Sequence, residues 1–410
     1  MKKILFVINT LGRAGAEIAL LGLLNKLDRR DLSVSLYVLL GQGELVDRLP
    51  PDVRLLNPRF SRCSVLSRRG RVKLAGSVAA AFFRNGGCLR KAGHVLGSLP
   101  AMLRRGRVQP DKLLWRAVAE GGVRFSEEYD LAVAWIEGGS AYYVADWVRA
   151  KKKVAFLHID YEKAGYTREL DRDCWRSFDR IFAVSPDAAE KFCGIYPEYR
   201  EKTAVFYNIV DQEEIRRRAR EPGGFSDGYT GLRILTVGRL TYQKGFDITI
   251  EAMKRLKDAG RPVRWYVLGE GVQRRNLERR IAALGLKEDF LLLGAVENPY
   301  PYLAQADLYV HAVRLEGQSI AVWEAQTLGR PVIVSDCCGS REQIEDGRCG
   351  ISCELTPESV ASAVMALLDD ETRRAELGRR AAEKKTPSGQ ERLFYELLED
   401  GPAQGERSAR

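Results

Sequence analysis

The run Arg314-Leu-Glu-Gly-Gln-Ser-Ile-Ala-Val-Trp-Glu-Ala325 holds two carboxylates, Glu316 and Glu324, with Gly317, Gln318, Ser319 and Ile320 between them. The segment from Ser319 onward has helical spacing, so the glycine and serine stand at a helix start. Such a start offers free backbone N–H groups and the positive end of the helix dipole, which suits a diphosphate. Flanking carboxylates can accept hydrogen bonds from sugar and ribose hydroxyls. A plainer reading fits the same residues, with Glu324 a first-turn acid and Glu316 a solvated loop charge. A second run, Val237-Gly-Arg-Leu-Thr-Tyr-Gln-Lys-Gly245, puts Gly238, Arg239 and Lys244 between a strand and a helix. Gly238 lets the backbone turn. Arg239 supplies a planar fork and Lys244 a point charge, so both can converge on one anion; two solvated surface cations are the alternative. A third run, Gly12-Arg-Ala-Gly15-Ala16-Glu17, links the first strand to the first helix, where a phosphate or sugar could approach closely. It is not the dinucleotide Gly-x-Gly-x-x-Gly fingerprint. His158 follows the strand Lys153–Leu157, a cleft position, whereas His94 and His311 read as structural. Asp171-Arg-Asp173 lies in a charged helical run and reads as a solvated face.

Together these stretches resemble the retaining glycosyltransferases of family four, which have the GT-B architecture. The resemblance rests on Gly15-Ala16-Glu17, His158, Val184-Ser185, Val237–Gly245, Gly269-Glu270-Gly271 with Arg274, and Glu316–Glu324, followed by Leu328–Asp336 and Asp346-Gly347. Val313 departs from the pattern, standing where relatives usually carry Ser. The resemblance implies that Arg239 and Lys244 hold the donor diphosphate and balance leaving-group charge. It implies that Glu316 contacts the donor sugar near the reacting carbon. The amides of Gln318, Ser319 and Ile320 would cap the phosphate, and Glu324 would hold the ribose. Gly294 and its neighbours, with Arg274 nearby, would sit by the base, and Gly269 belongs to the donor site. His158 would bond the sugar from the opposite domain, and Gly15, Ala16 and Glu17 would lie under the phosphates and the acceptor. The implied reaction is retaining transfer from a nucleotide-sugar, a UDP-sugar, to a cell-surface polysaccharide or lipid-linked acceptor. The nucleotide-sugar is a substrate; no cofactor and no metal is implied. Two other readings stay open: a nucleotide-sugar 2-epimerase of the same architecture, and a non-catalytic two-domain sugar-binding protein.

The elements that must position these residues alternate along the chain. Short apolar runs at Ile4–Ile8, Ser33–Leu40, Leu131–Trp135, Lys153–Leu157, Arg180–Val184 and Thr203–Phe206 predict strands separated by helices. That pattern implies a parallel sheet covered on both faces. Residues 216–230 are charged, then turn-rich, and read as a linker. A second alternating series follows, with strands at Arg233–Val237, Val263–Leu268, Phe290–Leu293, Leu308–His311 and Pro331–Ser335. The expected fold is therefore α/β: two doubly wound Rossmann-like domains facing across a cleft, with ligands at the strand C-terminal ends. The expected boundaries are 1–215 for the acceptor side, 231–386 for the nucleotide-sugar side, a helix near 387–400 rejoining the first domain, and a disordered tail at 401–410.

Composition bounds the class. The 410 residues are 45% hydrophobic and 29% charged, as in soluble globular chains of two or three domains. No stretch approaches the roughly 20 apolar residues of a membrane span, and Ile4–Ile8 is too short for a signal peptide core. The eight cysteines are scattered and read as reduced thiols, with no zinc-type spacing. From Val53 to Pro110 there are thirteen Arg and Lys and no Asp or Glu. So one-sided a segment favours an anionic partner, either an anionic membrane surface or a phosphorylated acceptor. Its scarcity of aromatics argues against nucleic acid. The expected location is cytoplasmic, peripheral on the inner face of the membrane.

Overall fold

The computed structural model describes residues 1–104, 110–337 and 339–399; the tail 401–410 lies outside them. The chain divides into two compact units, one of Met1–Tyr207 with the segment from Ser388 onward, the other of Asn208–Pro387.

The first unit carries strands β1 (Lys2–Ile8), β2 (Leu32–Val38), β3 (Arg54–Leu55), β4 (Glu128–Ala134), β5 (Arg149–Leu157), β6 (Arg180–Ala183) and β7 (Thr203–Val205). They form one sheet in the order β3-β2-β1-β4-β5-β6-β7, every pairing parallel. Ile4–Ile8 is buried throughout, as a strand covered on both faces requires. The helix Arg392–Glu399 belongs to this unit, where Phe394 packs its ring within 5.6–6.1 Å of Phe6, Phe156 and Phe206.

The second unit carries β8 (Leu232–Val237), β9 (Val263–Leu268), β10 (Phe290–Gly294), β11 (Leu308–His311), β12 (Val332–Ser335) and β13 (Ile351–Cys353). Their order is β10-β9-β8-β11-β12-β13, again all parallel. Side chains alternate between two cores, as the period of a strand demands. Ile234, Trp265, Val267, Leu308, Val310 and Ile333 enter one core. Leu235, Tyr266, Leu268, Tyr309, Val332 and Val334 enter the other. In each sheet the strand order reverses once, at β1/β4 and at β8/β11, which are the points where open α/β sheets place ligands.

The boundary falls at Tyr207/Asn208, ahead of the 216–230 stretch read as a linker. The reason is packing. The helix Gln212–Arg218 buries Ile215 in a core of the second unit. Phe225 packs its ring, tilted, 4.5 Å from that of Tyr266, and Asp227 accepts hydrogen bonds from Tyr266 and Arg264. The Asp171-Arg-Asp173 expectation also needs correction. Asp171 is fully buried and accepts from the hydroxyls of Tyr142, Tyr161 and Tyr196 at 2.6–2.7 Å. Three charge-compatible donors let a carboxylate stand in the interior.

Candidate functional site

β8 runs into Gly238 and Arg239, then a short turn Tyr242–Lys244, then the helix Phe246–Asp258. Gly245 joins turn to helix in the left-handed region at φ +64°, and a side chain there would strike the Ala312 carbonyl. β11 ends at His311, and its loop leads to the helix Ile320–Thr327. The two loops are fastened together. Arg314 N–H donates to the Gln243 carbonyl at 2.8 Å, and Gln243 Nε2 donates to the Leu315 carbonyl at 2.8 Å. The Arg314 guanidinium forks onto both oxygens of Asp247 at 2.8 and 2.6 Å and lies 3.9 Å over the Tyr242 ring. Bidentate pairs of this kind are among the stronger polar contacts.

This fastening brings Lys244 to Glu316. Lys244 Nζ lies 2.7 Å from Glu316 Oε2, and His311 Nε2 lies 2.6 Å from the same oxygen. Burial pushes the Glu316 carboxyl up, but Lys244 and His311 outweigh it and hold Glu316 well below its usual range. Burial keeps His311 low despite Glu316, so the ring is neutral. Its Nε2–H then donates to the carboxylate, while Nδ1 faces the Tyr309 hydroxyl at 3.4 Å. The structural reading of His311 is thus incomplete: it is buried and it also orients Glu316. Arg239, on the same loop as Lys244, is exposed and makes no ion pair among the described residues.

The helix start differs from expectation in one respect. Ser319 Oγ caps the helix by accepting from Val322 N–H at 3.4 Å. Its own N–H donates to Gln343 Oε1 at 3.1 Å, and Gln343 Nε2 donates back to the Ser319 carbonyl at 2.5 Å. The Ser319 amide is therefore engaged in this structure, whereas those of Gln318 and Ile320 meet no acceptor among the described residues. The Gln318 side chain accepts from Asn208 N–H at 3.0 Å. Glu324 is buried and accepts from the Tyr300 hydroxyl at 3.0 Å. At β9 and β10, Gly269 lies so close to the Gly238 carbonyl that any side chain would collide, which fixes the two strand ends side by side. Arg274 bonds Glu270 at 3.2 Å and the Leu292 carbonyl at 3.2 Å, beside Gly294. Val313 is held at both backbone polar groups by Ser335 Oγ, at 2.8 and 2.7 Å.

In the first unit the strand ends gather a second set. Glu17 is buried in the first turn of the helix Gly15–Lys26 and accepts from Thr10 Oγ1 at 3.3 Å. The Ala16 carbonyl accepts from Trp135 Nε1 at 2.7 Å, and Gly15 faces open space. His158 follows β5; its backbone N–H donates to Glu137 Oε2 at 2.9 Å, and its ring lies 5.3 Å from Trp135. His158 Nε2 is enclosed without a partner, and burial pushes the ring down to about 4. Burial pushes the Glu137 carboxyl up, against the His158 amide. Asn9 and Glu137, which sequence reasoning missed, meet here: Asn9 Oδ1 accepts from Ser140 N–H at 2.8 Å and its amide reaches the Glu137 carbonyl at 3.5 Å. Each stands just beyond a parallel strand, and that position was the available signal. Among the described residues, no group of three or more His, Cys, Asp or Glu is arranged to hold a metal ion.

Residues 227–384 match the family described as "Glycosyl transferases group 1". Among curated proteins, an alpha-D-kanosaminyltransferase of Streptomyces kanamyceticus is 34% identical over 185 residues, 44% of this chain and 46% of that protein. The amylovoran biosynthesis glycosyltransferase AmsK of Erwinia amylovora is 34% identical over 234 residues, 54% of this chain and 55% of that protein. The chain thus spans about half the length of these relatives. Among solved structures, Anabaena HepE in complex with UDP and glucose superposes with a TM-score of 0.67 at 17% identity, covering 97% of this chain and 99% of that one. A glycosyltransferase from Rickettsia africae superposes at 0.63 and 14% identity, covering 98% and 100%. The group 1 glycosyltransferase segment is thus laid over the second of two parallel Rossmann-like sheets, in a fold shared with these solved structures.

Proposed function

We propose that this chain is a retaining, metal-independent glycosyltransferase that moves a sugar from a UDP-sugar to a glycan or lipid-linked acceptor at the inner face of the membrane. One observation carries this reading: Lys244, Glu316 and His311 are locked together at the strand ends of the second sheet, beside the exposed Arg239. A nucleoside diphosphate is already a good leaving group. What the protein must add is stabilisation of charge on the phosphates and on an oxocarbenium-like sugar. Ionised Glu316 offsets Lys244, so Arg239 brings the uncompensated positive charge. The N–H groups of Gln318 and Ile320 and the helix dipole add to it. Glu316, with Oε2 on Lys244, presents its other oxygen to the sugar. Glu324, anchored by Tyr300, takes the ribose. Gly269, Arg274 and Gly294 border the base. His158 and the Gly15–Glu17 turn serve sugar and acceptor. Uridine is preferred because HepE, of like fold, was crystallised with UDP.

Calorimetric titration with UDP tests the assignment. Lys244→Ala and Arg239→Ala are each expected to weaken binding about 10- to 100-fold, the worth of one charge-assisted contact. Unchanged UDP affinity in both variants would remove the donor site from this place. Side-chain cations supply the charge that a divalent ion would otherwise bring, so EDTA should leave transfer unaffected. The anomeric configuration of the product, read by NMR, tests retention.

A further inference from the structure

Within the one-sided basic segment the chain folds into two helices, Arg68–Phe83 and Cys88–Arg104, both packed on a third, Pro110–Glu120. The turn between them uses Asn85, Gly86 and Gly87 at positive φ. One cation is turned inward: Lys91 is fully buried and its Nζ donates to the carbonyls of Ala81, Phe82 and Arg84 at 2.5–2.9 Å, closing the end of the first helix. The other described cations of the segment are exposed. Arg90 pairs with Glu120 and Arg62 with Asp47, but Arg68, Arg69, Arg71 and Arg104 are exposed and make no ion pair among the described residues.

The apolar residues on these helices do not follow the usual rule. Nine large apolar side chains are exposed among the described residues, and five of them fall here. On the first helix Val72 and Phe83 are 74% and 71% exposed, and with Gly76 and Ala79 they recur at i, i+4, i+7 and i+11, a single stripe. On the second, Leu89, Leu96 and Leu103 recur every seven residues and are 91%, 67% and 59% exposed. The partly or fully buried residues of that helix, Val95, Leu99 and Met102, lie on another side, against Leu113 and Leu170. Single exposed leucines need no explanation, but a stripe on each of two neighbouring helices, with the unpaired Arg68, Arg69, Arg71 and Arg104 on the same helices, does. Apolar residues with cations alongside on surface helices match the interface of an anionic bilayer, where aliphatic and aromatic groups enter the acyl boundary and Arg meets lipid phosphate. Among the described residues no helix is long and apolar enough to cross a membrane.

We infer that the helix pair Arg68–Phe83 and Cys88–Arg104 is a docking face for an anionic lipid surface, with Val72, Phe83, Leu89, Leu96 and Leu103 entering the bilayer and Arg68, Arg69 and Arg104 binding its phosphates. The inference rests on the membrane-face part of the proposed function and deepens it; UDP titration tests the donor site separately, so the two can fail independently.

Co-sedimentation of the full chain with vesicles tests it. Vesicles of phosphatidylcholine with one-third phosphatidylglycerol should bind the chain, and phosphatidylcholine alone should not. Raising salt to about 0.5 M should release most of it. Arg68→Glu with Arg69→Glu should weaken partitioning at least about tenfold, and so should Leu89→Asp with Leu96→Asp. All four positions are exposed, so circular dichroism and Tm should stay at wild-type values. Equal binding to neutral vesicles, or no binding to anionic ones at low salt, would overturn the proposal. Full binding by the leucine variant would do so too, since it would leave a purely electrostatic attachment. Self-association abolished by Leu89→Asp with Leu96→Asp, without vesicle binding, would overturn it in favour of a second copy of the chain.

Discussion

Two glutamates stand just past parallel strands, one in each sheet, and their surroundings drive them apart. Glu316 follows β11 and receives Lys244 and His311 on one oxygen, so it stays ionised against its burial. Glu137 follows β4 and receives the His158 amide, and burial pushes its carboxyl up. The same residue type in the same topological position thus becomes a fixed anion in one unit and a reluctant one in the other. The difference is the number of positive or donating partners each loop delivers.

The contrast can be broken most severely at Glu316. Glu316→Gln leaves Lys244 without its counter-ion and is expected to cost about 3 kcal/mol in urea unfolding at pH 7. Because the folded carboxyl titrates below its ordinary value of 4.5, this stabilisation is complete above that pH and is lost as pH falls toward the folded value. Wild type and variant should therefore converge in acid. A constant gap down to pH 3 would contradict the ion-pair account.

A middle-sized effect belongs to His158. Its ring titrates at about 4 in the folded chain against an ordinary 6.5, so its contribution is whole above 6.5 and declines as pH falls toward 4. The loss over that window, discounted for partial exposure, is about 2 kcal/mol. His158→Gln should flatten that part of the stability profile; an unchanged slope would locate the titration elsewhere.

The smallest effect is expected at Glu137. Removing a charge that burial already disfavours should change stability at pH 7 by less than about 1 kcal/mol, toward stabilisation. If Glu137→Gln costs as much as Glu316→Gln, the two sites are not the opposites described.

Much of this was legible beforehand, and the limits are instructive. The longer strands announce themselves because a strand buried on both faces must be apolar throughout, as Ile4–Ile8 and the stretch Trp265–Leu268 are. The strands Arg54–Leu55 and Ile351–Cys353 are too short to carry such a signal. At the site, the glycine and cation spacing pointed to the loops after β8 and β11. Spacing could not reveal that His311 reaches Glu316, because five residues of loop must double back for it to do so. Nor could it reveal Gln343, which takes the Ser319 amide from 24 residues away. Asp171 misled for the same reason: its three tyrosines lie 10 to 29 residues distant and only the fold assembles them.

The fastening of the Gly238–Gly245 loop to the Val313–Ser319 loop has a further consequence. Arg314, Asp247, Gln243 and the Leu315 carbonyl hold one loop to the other through the chain's own hydrogen bonds and ion pair. Loops that must be immobilised on binding subtract conformational entropy from affinity, roughly 0.5–1.5 kcal/mol for each long side chain stilled. Here that ordering is completed during folding, so an incoming anion meets a finished surface and keeps most of the energy of its contacts as affinity.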